Sequence, residues 1–327
     1  KRGKILLMNM NKVICHNSVQ LKLDYQVDAI VTDPPYGINY DDWDKYDNCV
    51  SFDKNTWKNI AENLKPGGYL AIFGAPRTFH RLVCAVEDAG LDIRDQLLWL
   101  HSMGMPKSSN IGKKLPEWEG WGTGLKPCYE PILLAQKKCE EKSIVKNVKK
   151  HGVGAINIDA SRTSGGRWPG NVLHDGSDEI EEEFAKYGEK GNGWSRNYGT
   201  EDYQGRQYKG GKFGGGRFLG NTTYADKGTA SRFFYNVKAS VKERTHGRTI
   251  ENNHPTVKPI DVMKYLIKMI TPADGVLYDP FTGSGTTLVA AKELGYSFVG
   301  CEMEQKYVKI ANERLSTINN LQEFMIK

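Results

Sequence analysis

Apolar and polar positions along this chain follow two regimes. The first third switches between short apolar runs and stretches with apolar residues every three or four positions. Residues 27–32 (Val-Asp-Ala-Ile-Val-Thr) form a short, mostly apolar run, as expected for a strand buried on both faces. The spacing predicts a helix over 52–64, stopped by Lys65-Pro66-Gly67-Gly68, which combines proline and glycine breakers. Strands are predicted at 69–73, 93–100 and 131–135, with a helix over 77–89 closed by Gly90. The last quarter resumes the alternation. Helices are predicted over 259–270, 285–294 and 305–315, and strands over 275–278 and 297–301. Strands alternating with helices imply an α/β fold whose largely parallel sheet is covered by helices.

The middle of the chain breaks this pattern. Between residues 187 and 235 there are 11 aromatics and 12 glycines, with few aliphatic residues. Gly210-Gly211 and Gly214-Gly215-Gly216 would interrupt any regular element. The run 137–150, with six lysines and two glutamates, reads as an exposed connection. Residues 137–250 are therefore expected to be an insertion hung on an α/β domain built from 1–136 and 251–327.

Composition narrows the class. A chain of 327 residues holds one large domain or two smaller ones, and 39% hydrophobic with 10% aromatic content is ordinary for a globular protein. No stretch approaches the roughly 20 apolar residues needed to cross a bilayer, and the apolar part of the N-terminal run is too short for a signal peptide. Six scattered cysteines without a Cys-x-x-Cys pair point to free thiols in a reducing cytoplasm, with neither a disulfide framework nor a metal site. The net charge of +6 is uneven: residues 186–248 hold 13 Lys and Arg against 5 Asp and Glu. That local excess suits either a polyanionic partner or a solvated surface loop.

Two motifs carry chemistry. The first is Asp279-Pro280-Phe281-Thr282-Gly283-Ser284-Gly285, set between a predicted strand and a predicted helix that opens near Thr286. Its glycines allow close backbone approach to a ligand, and a helix N-terminus favours polar or anionic groups. The next strand ends at Glu302-Met303, where an acid suits a ribose diol. The turn lacks the third glycine of the dinucleotide fingerprint and is not a Walker loop. A nucleoside-type ligand and a purely structural tight turn are the two readings.

The second motif, Asp33-Pro34-Pro35-Tyr36, follows the strand at 27–32. The prolines fix the backbone and remove two N–H donors, so the turn is rich in acceptors. Tyr36 adds a flat face. Such a site suits an exocyclic amine on a base, whose delocalised lone pair makes it a poor nucleophile. Accepting hydrogen bonds from the amine would return the lone pair to nitrogen and stabilise the positive charge formed on methylation. The plainer reading is a structural Pro-Pro turn.

These residues resemble S-adenosylmethionine-dependent DNA amino-methyltransferases, specifically the permuted, beta-type group in which the catalytic tetrapeptide precedes the cofactor loop. The likeness covers roughly 1–136 and 231–327. It implies a Rossmann-like fold with a circularly permuted sheet and an inserted target-recognition region. It implies Asp33, Pro34, Pro35 and Tyr36 as catalytic residues. It further implies a cofactor site from Asp33, Asp279 through Thr286, Glu302 and Met303. His254-Pro255-Thr256-Val257-Lys258-Pro259 resembles the segment before the cofactor loop, so Thr256 and Lys258 would hold the methionine end. Family members often carry Gly-Asp after the first strand; here His16-Asn17 stands there, and Asn17 would reach the adenine amine. Cutting and rejoining a parallel sheet at its edge loops leaves strand neighbours unchanged, which accounts for the inverted motif order.

The resemblance implies duplex DNA as substrate, with a restriction endonuclease or a second copy of the chain as candidate further partners. It places the protein in the cytoplasm of a bacterium or a phage-infected cell. A base must leave the duplex to reach a methyl donor. Arg196, Arg206, Lys209, Lys212 and Arg217 would bind phosphates, and Trp194, Tyr198, Tyr203 and Tyr208 would stack on bases or fill the vacated space. An aspartate rather than a serine at position 33 leans toward adenine N6 over cytosine N4. RNA methylation, a non-catalytic DNA-binding subunit, and cytosine-carbon chemistry at Pro127-Cys128 are the alternatives. The last is disfavoured because it would make the tetrapeptide redundant.

Overall fold

The computed structural model describes residues 10–40, 42–102, 104, 108–163, 166–191, 227–236 and 257–318. In chain order the strands are β1 (Lys12–Cys15), β2 (Val27–Thr32), β3 (Leu64–Phe73), β4 (Asp92–Leu100), β5 (Tyr129–Gln136), β6 (Val172–His174), β7 (Lys190–Gly191), β8 (Lys227–Gly228), β9 (Tyr235–Asn236), β10 (Val276–Asp279) and β11 (Ser297–Glu302). The α-helices are α1 (Lys54–Glu62), α2 (Phe79–Asp88), α3 (Ile144–His151), α4 (Asp178–Ala185), α5 (Ile260–Ile270), α6 (Thr286–Glu293) and α7 (Gln305–Ser316). Nine strands form one sheet in the order β1-β11-β10-β2-β3-β5-β4-β6-β9, while β7 and β8 pair separately. All neighbours in the large sheet run parallel except β5, which is antiparallel to β3 and β4.

The period of two along the central strands divides the core. Tyr69, Ala71 and Phe73 of β3 face one cluster with Ile132 and Leu134 of β5 and the apolar stripes of α5 and α6. Leu70 and Ile72 face the other, with Leu133 and Ala135 and the inward residues of α1 and α2. Trp57 of α1 is fully buried there and donates its Nε1–H to the Ser51 carbonyl (2.9 Å). Because both faces are covered, the central strands read as continuous apolar runs.

Two elements depart from the sequence reading. The helix does end before Lys65-Pro66-Gly67-Gly68, but this segment is not a break ahead of the strand expected at 69–73; it lies within β3. The pairing shifts from Val27–Leu64 to Ala29–Tyr69, so these residues bulge opposite Asp28. Gly67 takes φ +84°, and Gly67 and Gly68 exchange backbone hydrogen bonds with Lys137. The lysine-rich run beyond 137 is not merely an exposed connection. It contains α3, capped by the Ser143 hydroxyl accepting from the Lys146 N–H and closed by Gly152 at φ +76°. Buried Asn147 ties the helix to the bulge by donating to the Pro66 and Val153 carbonyls (both 2.9 Å). Strands β6 and β9 also come from the 137–250 stretch and extend the main sheet.

All six cysteines are unpaired. Among the described residues no helix is long and apolar enough to cross a membrane, and no group of three His, Cys, Asp or Glu is arranged to hold a metal ion.

Candidate active site

Strands β10 and β2 are neighbours, but the chain continues from β10 to β11 on one side and from β2 to β3 on the other. Such a switch point opens a crevice at the carboxyl ends of the strands. Both motifs end there. The Thr32 hydroxyl, last in β2, donates to Asp279 Oδ1 of β10 at 2.7 Å, joining positions 247 residues apart. A cavity of about 400 Å³ lies between them.

The glycine turn is organised from its two ends. Asp279, 1% exposed, also accepts the Phe281 N–H (3.1 Å), and its own carbonyl accepts the Thr282 hydroxyl (3.0 Å). Burial pushes the Asp279 carboxyl up to about 7, against the hydrogen bonds from Thr32 and Thr287. Gly283 and Gly285 both have positive φ, and a Cβ on Gly285 would stand 2.8 Å from Ala311 Cβ on α7. Glu302, at the end of β11, accepts the Gly283 N–H through Oε2 and the Glu304 N–H through Oε1, each at 2.8 Å. Its carboxyl is raised by burial, opposed by those N–H donors. Beneath the turn, buried Arg314 donates to the Ser284 carbonyl (2.7 Å), the Ser284 hydroxyl (3.1 Å) and the Thr286 hydroxyl (3.0 Å).

The tetrapeptide forms the opposite wall. Asp33 Oδ1 accepts the Tyr36 hydroxyl at 2.5 Å, and Asp33 Oδ2 accepts Lys258 Nζ at 2.8 Å. Glu130, at the head of β5, reaches the same two partners: Oε2 lies 3.0 Å from the Tyr36 hydroxyl and 3.2 Å from Lys258 Nζ. Burial raises the Asp33 carboxyl even though Lys258 pulls the other way. Burial alone would lower Lys258, but Asp33 and Glu130 outweigh it and hold the ammonium charged. The Pro35 carbonyl accepts the Ser51 hydroxyl (2.6 Å). No described residue donates to the Pro34 carbonyl. Asp44, 1% exposed, shapes the chain after the tetrapeptide. It accepts the N–H groups of Tyr36 (2.7 Å), Gly37 (2.6 Å), Ile38 (3.2 Å) and Tyr40 (3.2 Å).

The expected site residues are largely brought together. Asp33, Pro34, Pro35, Tyr36, Asn17, Lys258, Asp279–Thr282 of the turn, Gly283, Ser284, Thr286, Glu302 and Met303 line the cavity. Gly285 stands behind it, shaping the turn. Lys258 is held between two carboxylates, an arrangement the sequence did not indicate. The Asn17 amide oxygen already accepts the Val19 N–H at 3.0 Å. Thr256 and the expected DNA contacts Trp194, Arg196, Arg206, Lys209, Lys212 and Arg217 lie outside the described residues. Cys128 is exposed and is not part of the cavity wall. Sequence reasoning missed Glu130, Asp44 and Arg314, and the aromatic pair Tyr40 and Trp43 that also lines the cavity. A glutamate heading the apolar strand Tyr-Glu-Pro-Ile-Leu-Leu-Ala-Gln was the available signal for the first.

Comparison with known proteins agrees with this geometry. The DNA methylase family matches residues 27–313. The chain is 26% identical to the type II methyltransferase M.HindIII of Haemophilus influenzae, covering 91% of this chain and 92% of that protein. It is 25% identical to the type II methyltransferase M1.MboII of Moraxella bovis, covering 94% and 96%. Among solved structures it resembles PvuII DNA methyltransferase (cytosine-N4-specific), with a TM-score of 0.55, 14% identity and coverage of 94% and 86%. That likeness shows the shared Rossmann-like fold. The chain belongs to the DNA methylase family and is an S-adenosylmethionine-dependent DNA methyltransferase of the restriction–modification type.

Proposed function

We propose that the protein transfers a methyl group to the exocyclic N6 amine of adenine in duplex DNA, with the base turned out of the helix into the cavity between the two motifs. The observation that carries this reading is the acceptor cluster around Asp33, which faces the same cavity as the glycine turn. An aspartate rather than a serine at position 33 supports adenine over cytosine.

The residues present fit the cofactor. The turn from Pro280 to Ser284 offers small side chains and close backbone approach, its Phe281, Thr282 and Gly283 N–H groups being donated to Asp279, Cys301 and Glu302; Glu302 offers a carboxylate for a ribose diol, and Phe281 and Met303 offer apolar faces. Met303 is 62% exposed at the rim. Asn17 and Thr286 would complete the nucleoside end. Lys258 would meet the methionine end while staying paired with Asp33, and Thr256 would assist from outside the described residues. When bound, S-adenosylmethionine supplies an electrophilic methyl group and a neutral thioether leaving group.

The chain's own residues prepare the nucleophile. Asp33 and the Pro34 carbonyl accept one amine N–H each, which localises the nitrogen lone pair toward the methyl group. The Pro35 carbonyl is engaged by Ser51, so Pro34 is the acceptor left on the turn. Asp33 then receives a proton from the methylated nitrogen. Tyr36 stacks on the base, with Tyr40 and Trp43 at the mouth of the cavity as further aromatic faces, at about 1–3 kcal/mol per stacked base. Phosphates would be bound by Arg196, Arg206, Lys209, Lys212 and Arg217, with Trp194 beside them. The test is methyl incorporation into plasmid DNA by the wild type and by Asp33→Ala. Loss in the variant with cofactor binding preserved is expected; retained incorporation overturns the role given to Asp33.

A further inference from the structure

The proposed mechanism uses one carboxylate, but the site contains two. Glu130 lies on β5, antiparallel to β3, so its head sits at the same sheet edge as the end of β2. Its Oε2 stands 3.0 Å from the Tyr36 hydroxyl and 3.2 Å from Lys258 Nζ, the same two groups that bind Asp33. Tyr36 has one hydroxyl proton for two carboxylates, and Lys258 one positive charge for two negative ones. Two carboxylates and one ammonium leave the cluster at −1. With Asp33 and Lys258 alone it would be neutral.

That charge matters because methyl transfer moves a positive charge. The nitrogen lone pair forms the N–C bond while the S–C bond breaks with its electron pair remaining on sulfur. The positive charge thus passes from sulfur to nitrogen, toward the Asp33 cluster. One N–H proton then goes to Asp33, its bonding pair staying on nitrogen. A cluster at −1 draws the charge in that direction, and a neutral ion pair does so far less.

We propose that Glu130 is a positioning residue of the methyl transfer: by sharing Lys258 and the Tyr36 hydroxyl it offsets the cation beside Asp33 and sets the amine site at a net negative charge. The other ionisable groups facing Glu130 do not supply this charge. His101, beyond β4, has Nε2 at 4.0 Å from Oε1 and no hydrogen-bond partner there, and burial disfavours the charged ring. Asp279 accepts hydrogen bonds from the Thr32 hydroxyl and the Phe281 N–H and none from Lys258 or Tyr36.

This inference rests on the amine-methylation reading, and one experiment separates the two. Single-turnover methyl transfer to duplex DNA is measured across pH for the wild type, Glu130→Gln and Glu130→Asp, with S-adenosylmethionine binding measured in parallel. Glu130→Gln should bind cofactor within about twofold of the wild type, yet lose roughly 10²-fold in the plateau rate, the scale of one preorganised electrostatic contact. Its acidic limb should move to lower pH, because the Glu130 charge that raises Asp33 has gone. Glu130→Asp should restore much of both. An unchanged plateau and limb in Glu130→Gln overturn the proposal. So does a loss of cofactor affinity equal to the loss in rate, which would make Glu130 a scaffold for Lys258. A wild type that transfers no methyl group to DNA overturns the amine-methylation reading itself, and this inference with it.

Discussion

Replacing Lys258 with methionine should move the pH at which the enzyme works. The side chains of Lys258 and Asp33 are 7% and 17% exposed, and their charged atoms are 2.8 Å apart. At an effective dielectric constant of about 20, one such pair is worth about 6 kcal/mol, or about four pKa units before relaxation and water entry reduce it. Methionine keeps the length and apolar packing beside Tyr36 and Phe73 but removes the charge. Asp33 and Glu130 would then face each other without a cation. Burial already raises the Asp33 carboxyl, so loss of the cation raises it further. In the proposed mechanism methylation requires the Asp33 carboxylate, so activity should appear only above the raised value. The acidic limb of single-turnover methylation is expected about two or more units higher than in the wild type, with partial recovery at alkaline pH. Cofactor binding measured at the pH of recovery separates this from loss of the cofactor. A Lys258→Met enzyme with the wild-type pH profile would refute the shared-cation account, whatever its absolute rate.

Three further outcomes are expected. Asp279 has a folded-state value of about 7 against 3.8 unperturbed, so its contribution to stability is fully present below about pH 3.8 and is lost as pH rises toward 7. Asp279→Asn keeps an acceptor for Thr32 and Phe281, so its thermal unfolding should depend less on pH between 4 and 7 and its stability at pH 8 should rise by a few kcal/mol; equal pH dependence in both proteins contradicts this. Asp44→Ala strands four backbone N–H groups and should lower unfolding free energy by about 2–4 kcal/mol while cutting methylation more than cofactor affinity, measured by denaturant titration and rate assays. Neutralising Arg196, Arg206, Lys209, Lys212 and Arg217 together should weaken DNA binding and flatten its salt dependence by about 0.9 for each phosphate that is no longer neutralised, with cofactor binding intact; an unchanged slope removes these residues from the interface.

The parts of this site legible in the sequence are those where backbone and burial dominate. Residues 27–32 and 276–279 are mostly apolar because both sheet faces are covered, and the acids at their carboxyl ends, Asp33 just after the first and Asp279 last in the second, stand at the sheet edge by construction. The glycines at 283 and 285 signalled a turn that needs positive φ. What the sequence did not show depends on long-range pairing. Lys258 is 225 residues from Asp33, and only the folded sheet reveals that its ammonium lies between Asp33 and Glu130. Asn147 reads as one polar residue in a lysine run, yet it fills the hole beside the Gly67 bulge. Lys65–Gly68 looked like a stop because proline and glycine usually punctuate elements; here the end of β5 supplies the pairing that lets β3 bulge and continue.

Methylation of the N6 amine of adenine is the reaction proposed for this site. Duplex DNA incubated with the protein and S-adenosylmethionine, digested to nucleosides and separated by mass spectrometry, tests it directly. N6-methyladenine in the wild-type digest and its absence with Asp33→Ala are predicted. N4-methylcytosine as the product, or N6-methyladenine formed equally well by Asp33→Ala, would contradict it.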